Sequence, residues 1–249
     1  MIDSGTVTAT LSDGIATVRF AHPKGNSLPG ALLANLADAV RTAGQDPNVR
    51  VIVLRSEGPG AFCAGASFDE FKAIADPQAG KKFFMGFATL ILAMIRCPKF
   101  IVTRVQGKAV GGAVGLIAAS DYVLATDKAA VRLSELAVGI GPFIVGPVIQ
   151  RKIGYGAFTA LAVDADWRDA RWAEQHSLYA SVHNDTDALD NAVDTLANRL
   201  SASNPEAMAL LKANFWEGTD SWDDLLSSRA TMTGTLVLSD FTKRMLAER

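Results

Sequence analysis

Two glycine-rich segments constrain this chain more than anything else in it, because each directly follows a short β-branched run. Val49–Arg55 is bounded by Pro47 and Gly58 and reads as a buried strand; residues 58–71, GPGAFCAGASFDEF, come after it. Phe100–Val105 reads as another strand, and residues 106–116, QGKAVGGAVGL, follow it and open an apolar helix. Small residues after a strand let the backbone approach a ligand and turn N–H groups toward it. A helix N-terminus at Gly112 adds partial positive charge in the same direction. Two such N–H groups converging on one oxygen would form an oxyanion hole. Tight turns that merely pack small residues have the same composition, and spacing alone does not decide between these readings.

The remaining pattern alternates strands with helices. Thr6–Leu11 and Ile15–Phe20 flank the turn signal Ser12-Asp13-Gly14 and predict a β-hairpin. Leu28 to Ala43 sets Leu32, Leu33, Leu36, Ala39 and Val40 on one helical face, with Gly44 ending the helix. Phe83–Ile95 is an apolar helix stopped by Pro98, Ala113–Ala119 fits a helix and Tyr122–Ala125 a strand. From Val145 onward helices dominate, with one β-like run at Leu178–Val182 and helices over Ala188–Leu200, Pro205–Phe215 and Trp222–Leu236. This order predicts an α/β core over residues 1–190 and a helical C-terminal subdomain over 191–249.

Composition narrows the class. With 249 residues, 49% hydrophobic and 20% charged, the chain has globular usage and can bury a large core. A net charge of −2 argues against a dedicated nucleic-acid binder. The charge is uneven, since residues 1–108 carry 12 basic and 8 acidic side chains (+4) and residues 109–249 carry 12 and 18 (−6). A multiply charged anion would therefore be sought on the first part. Two cysteines, Cys63 and Cys97, are too few for a disulfide framework, and no signal peptide is evident at Met1, so a cytoplasmic location is expected. The apolar stretch Ala109 to Ser120 is too short and too glycine-rich for a bilayer, and no membrane association is expected. Phosphate-loop, dinucleotide-fingerprint, metal-spacing and serine-elbow motifs are all missing, and the scattered His22, His176 and His183 earn no role.

In order along the chain, HPKGNSL (22–28), DPNVRVIVLRSEGPGAFCAGA (46–66), VQGKAVGGAVGLIAASDYVLAT (105–126), LSELAVGIGP (133–142) and DARWAEQHSLYASV (169–182) resemble the crotonase family, the enoyl-CoA hydratase/isomerase group. The last segment departs from the family by carrying Ser177 and Tyr179. The resemblance implies a spiral of ββα units with a C-terminal helical oligomerisation subdomain, and a homotrimer or hexamer. It implies an acyl-CoA substrate whose thioester carbonyl is held by the backbone N–H groups of Ala66 and Gly112, stabilising an enolate. Losing one such donor typically raises the barrier by roughly 3–4 kcal/mol. Gly112→Pro, which deletes the N–H, is the change that tests it.

Of the two glutamates carried by family hydratases, the first position is occupied here by Gly115, and the second matches Glu135, the only acidic residue between Asp127 and Asp164. A carboxylate in apolar surroundings has a raised pKa and suits proton shuttling. One carboxylate can move a proton between two carbons, whereas water addition is usually served by two, so isomerisation and hydration are both open. The resemblance further places Lys24, Asn26, Ser27 and Leu28 near the nucleotide, Ala64, Gly65 and Ser67 along the pantetheine, and Gly111 beside the substrate, with Ser67 standing where the family usually has Asp. Phe143 after Pro142 should narrow the acyl pocket. Lys72, Lys81 and Lys82 are candidate phosphate partners, and Lys243 or Arg244 could reach a neighbouring subunit. No metal and no cofactor beyond the substrate's own CoA is expected. Competing readings are an acyl-CoA-binding protein without catalysis and a CoA-thioester hydrolase.

Overall fold

Of the six residues in the strand Val51–Ser56, five are buried, so both faces of its sheet must be covered. In the computed structural model, which describes residues 5–247, Val51 and Val53 pack on one side with Leu189, Val193 and Met208. Ile52 and Leu54 join a larger core on the other side. The run reads as continuously apolar because each alternate residue meets its own layer.

The elements follow in the order β1 (Thr6–Ser12), β2 (Ile15–Ala21), α1 (Gly30–Gln45), β3 (Val51–Ser56), α2 (Phe68–Lys72), α3 (Pro77–Arg96), β4 (Phe100–Val105), β5 (Ala109–Val110), α4 (Gly112–Ala118), β6 (Tyr122–Thr126) and β7 (Val131–Arg132). A single 3₁₀ turn at Leu136–Val138 precedes α5 (Gly146–Asp164), α6 (Ala170–Gln175), β8 (Ser181–His183), α7 (Thr186–Ser201), α8 (Pro205–Phe215), α9 (Trp222–Leu236) and α10 (Asp240–Ala247). The main sheet has the order β1-β2-β3-β4-β6-β8, antiparallel in the opening hairpin and parallel thereafter. Helix α1 covers one face, with α3 packed on it, and α7 covers the other. β5 and β7 pair in a second, small sheet, continued by bridges from Cys63 to Ala109 and from Leu28 to Ala66.

The expected hairpin, strands and apolar helices are all present, with instructive shifts at their ends. Helix α1 starts at Gly30 rather than Leu28, because Leu28 is held as an extended residue against Ala66 and Pro29 is extended. Gly44 does not end α1. It lies inside the last turn, where a Cβ would sit 2.9 Å from Cys97 Sγ, so its lack of a side chain serves a close helix contact. The β-like run near 178–182 contributes only Ser181–His183 as strand; Leu178 and Tyr179 are buried in the turn before it, with Ser177 at φ +64°. Residue 190 falls within α7, which packs on the sheet, and α8 is tied to the core by Lys212, whose buried ammonium pairs with Asp121 at 2.7 Å. Cys63 and Cys97 are both free and buried. No helix among the described residues is long and apolar enough to cross a membrane.

Helices α3 and α9 cross at a glycine pair, where a Cβ on Gly80 would lie 2.7 Å from Gly234 Cα. An exposed helical Gly→Ala change ordinarily stabilises by up to about 1 kcal/mol. Here the sign reverses: Gly80→Ala and Gly234→Ala should each lose about 1–3 kcal/mol through overpacking, read as a lower denaturation midpoint.

Candidate active site

The stretch Cys63–Ser67 runs as a ribbon between two neighbours. Leu28 N–H donates to Gly65 O at 2.8 Å and Ser67 N–H to Leu28 O at 3.2 Å, while Cys63 N–H donates to Lys108 O and Val110 N–H to Cys63 O. Alternate residues of an extended ribbon turn their N–H groups to opposite sides. Ala66 N–H therefore points away from Leu28, and it has no partner among the described residues. The approach to β5 is close enough that a Cβ on Gly65, at φ +90°, would stand 2.7 Å from Val110 O.

Just past β5, Gly111 at φ +56° turns the chain into α4. Its N–H donates to Arg132 O at 2.8 Å, which leaves Gly112 as the first residue of the helix with its own N–H unpartnered among the described residues. The space beside Gly111 is taken by an acid, since a Cβ there would lie 3.1 Å from Glu135 Oε1. The ordering of Glu135 comes from the 3₁₀ turn that follows it: Val138 and Ile140 N–H both donate to Glu135 O at 3.1 Å. That turn is in turn clasped by α10, where the buried Thr242 donates through Oγ1 to Gly139 O at 3.2 Å.

The Glu135 residue is partly exposed, but its Oε2 is buried and without a hydrogen-bond partner among the described residues. Burial pushes the carboxyl up to about 7, partly offset by the backbone N–H groups of Glu135 and Ser134. A cavity of about 290 Å³ collects these groups. Ala64, Gly65, Ala66, Gly111, Gly112 and Glu135 all line it. Apolar walls come from Phe68, Phe84, Phe87, Ile140, Phe143 and Val145. Phe143 lines the same cavity, its ring lying over Gly141.

The residues expected near the nucleotide, and Ser67, do not line this cavity. Asn26 is buried and committed internally, accepting from His22 N–H at 3.0 Å and donating to Glu57 O and Ala61 O. Ser27 is buried with its hydroxyl 2.9 Å from His22 Nδ1, and Leu28 is fully buried. Ser67 caps α2 and is likewise buried. These four shape the backbone and offer a ligand no free side chain. Lys24 is exposed and paired with Asp69, whose carboxyl it holds below the usual range, and Lys72 lies 4.9 Å over the Phe68 ring at the cavity wall. Lys243 and Arg244 are exposed on α10. Sequence reasoning also missed Arg132, Trp167 and Thr233, which line the cavity, and Tyr179, whose hydroxyl donates to Ala129 O at 2.8 Å just before β7. A lone arginine between apolar residues at 131 and 133 is the only signal that could have flagged the first of these.

The sequence profile of the enoyl-CoA hydratase/isomerase family matches residues 10–237, and the chain belongs to that family. Its relatives work on CoA thioesters of several kinds. A (7aS)-7a-methyl-1,5-dioxo-2,3,5,6,7,7a-hexahydro-1H-indene-carboxyl-CoA hydrolase of Rhodococcus jostii (strain RHA1) is 30% identical over 84% of this chain and 79% of the relative. Human mitochondrial methylglutaconyl-CoA hydratase is 29% identical over 78% of this chain and 58% of its own length. The fold is the crotonase fold: the crystal structure of an enoyl-CoA hydratase from Bacillus halodurans superposes with a TM-score of 0.90 at 18% identity, covering 98% of this chain and 99% of that one.

The buried carboxyl has a consequence for stability. An unfolded glutamate titrates near 4.5 and this one near 7, so between those values the unfolded chain binds fewer protons and stability falls as pH rises, by on the order of 3 kcal/mol in all. Glu135→Gln should match wild type near pH 4.5 and exceed it at pH 8. Denaturant unfolding at a series of pH values measures the gap, and a constant gap contradicts the assigned cause.

Proposed function

We propose that this chain catalyses proton transfer on an enoyl-CoA thioester, shifting a double bond between the 3- and 2-positions. The observation that carries the reading is the position of the missing carboxylate. A Cβ on Gly115 would lie 2.5 Å from Val145 Cγ1 and 3.5 Å from Ile91 Cδ1, so hydrocarbon occupies the place from which a second acid would reach the cavity. Glu135 is the one carboxylate lining the cavity among the described residues. In this reading Glu135 takes a proton from the α-carbon, and the electron pair moves onto the thioester oxygen as a dienolate. The Ala66 and Gly112 N–H groups hold that charge. Glu135 then returns the same proton to the γ-carbon, so nothing is gained or lost. Ala64 and Gly65 flank the pantetheine, Lys24 and Lys72 meet phosphates, and Phe143 limits the acyl chain. The chemistry calls on no metal and no cofactor beyond the CoA of the substrate.

Likeness to a CoA hydrolase at 30% identity favours one second reading, in which Glu135 activates a water for hydrolysis. Assay of purified protein with 3-enoyl-CoA and 2-enoyl-CoA substrates separates the cases, because isomerisation conserves the thioester and adds no water. The first reading predicts conversion of 3- to 2-enoyl-CoA with kcat/KM rising through about pH 7, as Glu135 ionises. Glu135→Gln should lose nearly all turnover; full retention would remove Glu135 from the mechanism.

The oxyanion donors need a cleaner test than Gly112→Pro. A Cβ at 112 would lie 2.2 Å from Phe87 Cε1, so that substitution disturbs packing as well as the N–H. Replacing the Gly112 amide by an ester adds no atoms beyond the oxygen, and it should lower kcat by roughly 10²–10³. The exposed apolar side chains of Leu210, Phe215, Met232 and Phe241 on the C-terminal helices fit the homotrimer or hexamer implied by the resemblance. Sedimentation equilibrium should give three or six times the 26.3 kDa chain mass.

A further inference from the structure

The cavity holds a second charged group that the proposed chemistry does not use. β7 sends Val131 and Leu133 into the core, both essentially fully buried, so the alternation of a strand turns Arg132 the other way, onto the cavity wall. Its Nε donates to Ala165 O at 2.6 Å, which fixes the guanidinium plane from one edge. No carboxylate among the described residues forms an ion pair with it. Asp164, next to its backbone partner, is engaged with Arg168. Glu135, the other charged residue of the cavity, forms no ion pair with it either. The two remaining guanidinium nitrogens thus present a donor fork with no counter-ion among the described residues. A planar fork of this kind matches the two oxygens of a carboxylate.

We infer that Arg132 selects acyl-CoA substrates whose acyl chain ends in a carboxylate, that is, mono-CoA thioesters of dicarboxylic acids. The inference rests on the CoA-thioester reading of this site and specifies its substrate class. An otherwise aromatic and aliphatic wall would favour an uncharged chain, and one unpaired cation on that wall reverses the preference. The same fork could serve a phosphate of the CoA moiety, and the experiment must separate the two sources.

Binding of unreactive saturated thioesters, measured by calorimetry, does so independently of turnover. Succinyl-, glutaryl- and adipyl-CoA are compared with butyryl-, pentanoyl- and hexanoyl-CoA on wild type, Arg132→Gln and Arg132→Lys. For at least one chain length, wild type should bind the carboxylate form about tenfold or more tightly than its uncharged counterpart. Arg132→Gln should abolish that preference while leaving the uncharged thioester's affinity within about twofold, and Arg132→Lys should keep part of it. Equal affinity for charged and uncharged forms at all three lengths overturns the inference. So does an Arg132→Gln loss that is the same for both forms and vanishes with S-acyl-pantetheines, which would assign the fork to a phosphate. If no CoA thioester of either kind binds wild type, the failure lies with the CoA-thioester reading itself. Melting temperature and bound uncharged thioester report that each variant is folded.

Discussion

The arrangement depends on one close contact between backbones: Gly65 lying against the carbonyl of Val110. Without a Cβ at 65, the ribbon that carries Ala66 can run within bonding distance of β5, and β5 leads directly into Gly111 and Gly112. Two N–H groups from segments 46 residues apart in sequence are thereby set by main-chain pairing alone. Main-chain donors held in this way need no reorganisation when charge develops opposite them. The side-chain chemistry is then simple, because the positional demand has been met by the sheet. Glu135 only has to arrive beside Gly111, and the second strand of the same small sheet delivers it.

Placing a carboxylate there is unfavourable for folding. The same desolvation that raises its pKa toward neutrality leaves Oε2 without a donor. The surrounding structure holds it from several directions, through the 3₁₀ turn behind it, the Tyr179 hydroxyl bracing the chain before β7, and α10 against Gly139. A buried acid without a partner among the described residues persists where neighbouring contacts hold it in place.

Much of the fold was legible because it obeys period-two or helical periodicity over enough residues. β3, β4, α1 and α3 have runs long enough to show their pattern, and their two-sided or one-sided burial follows from it. β5 and β7 are two residues each and carry no period, so the small sheet that organises the cavity was invisible except through the glycine-rich segments it contains. Glycine itself was ambiguous: Gly44 read as a stop signal and is a packing contact, while Gly115, where family hydratases carry an acid, also lies close against Val145. Asn26, Ser27, Leu28 and Ser67 are buried beside these loops, with the polar side chains of Asn26 and Ser27 bonded within them. Arg132 could not be assigned in advance, since one charge among apolar residues does not say which face it takes until the strand register is known.

The clasp of α10 on Gly139 also orders events in time. Gly65, Val110 and Gly112 are joined by contacts within the first half of the chain, so the donor pair can form before the C-terminal helices exist. The turn that fixes Glu135 is secured by residues more than a hundred positions later. A nascent chain would thus hold the paired N–H groups before it holds a settled carboxylate, and the last helix to dock would be the one that completes the cavity.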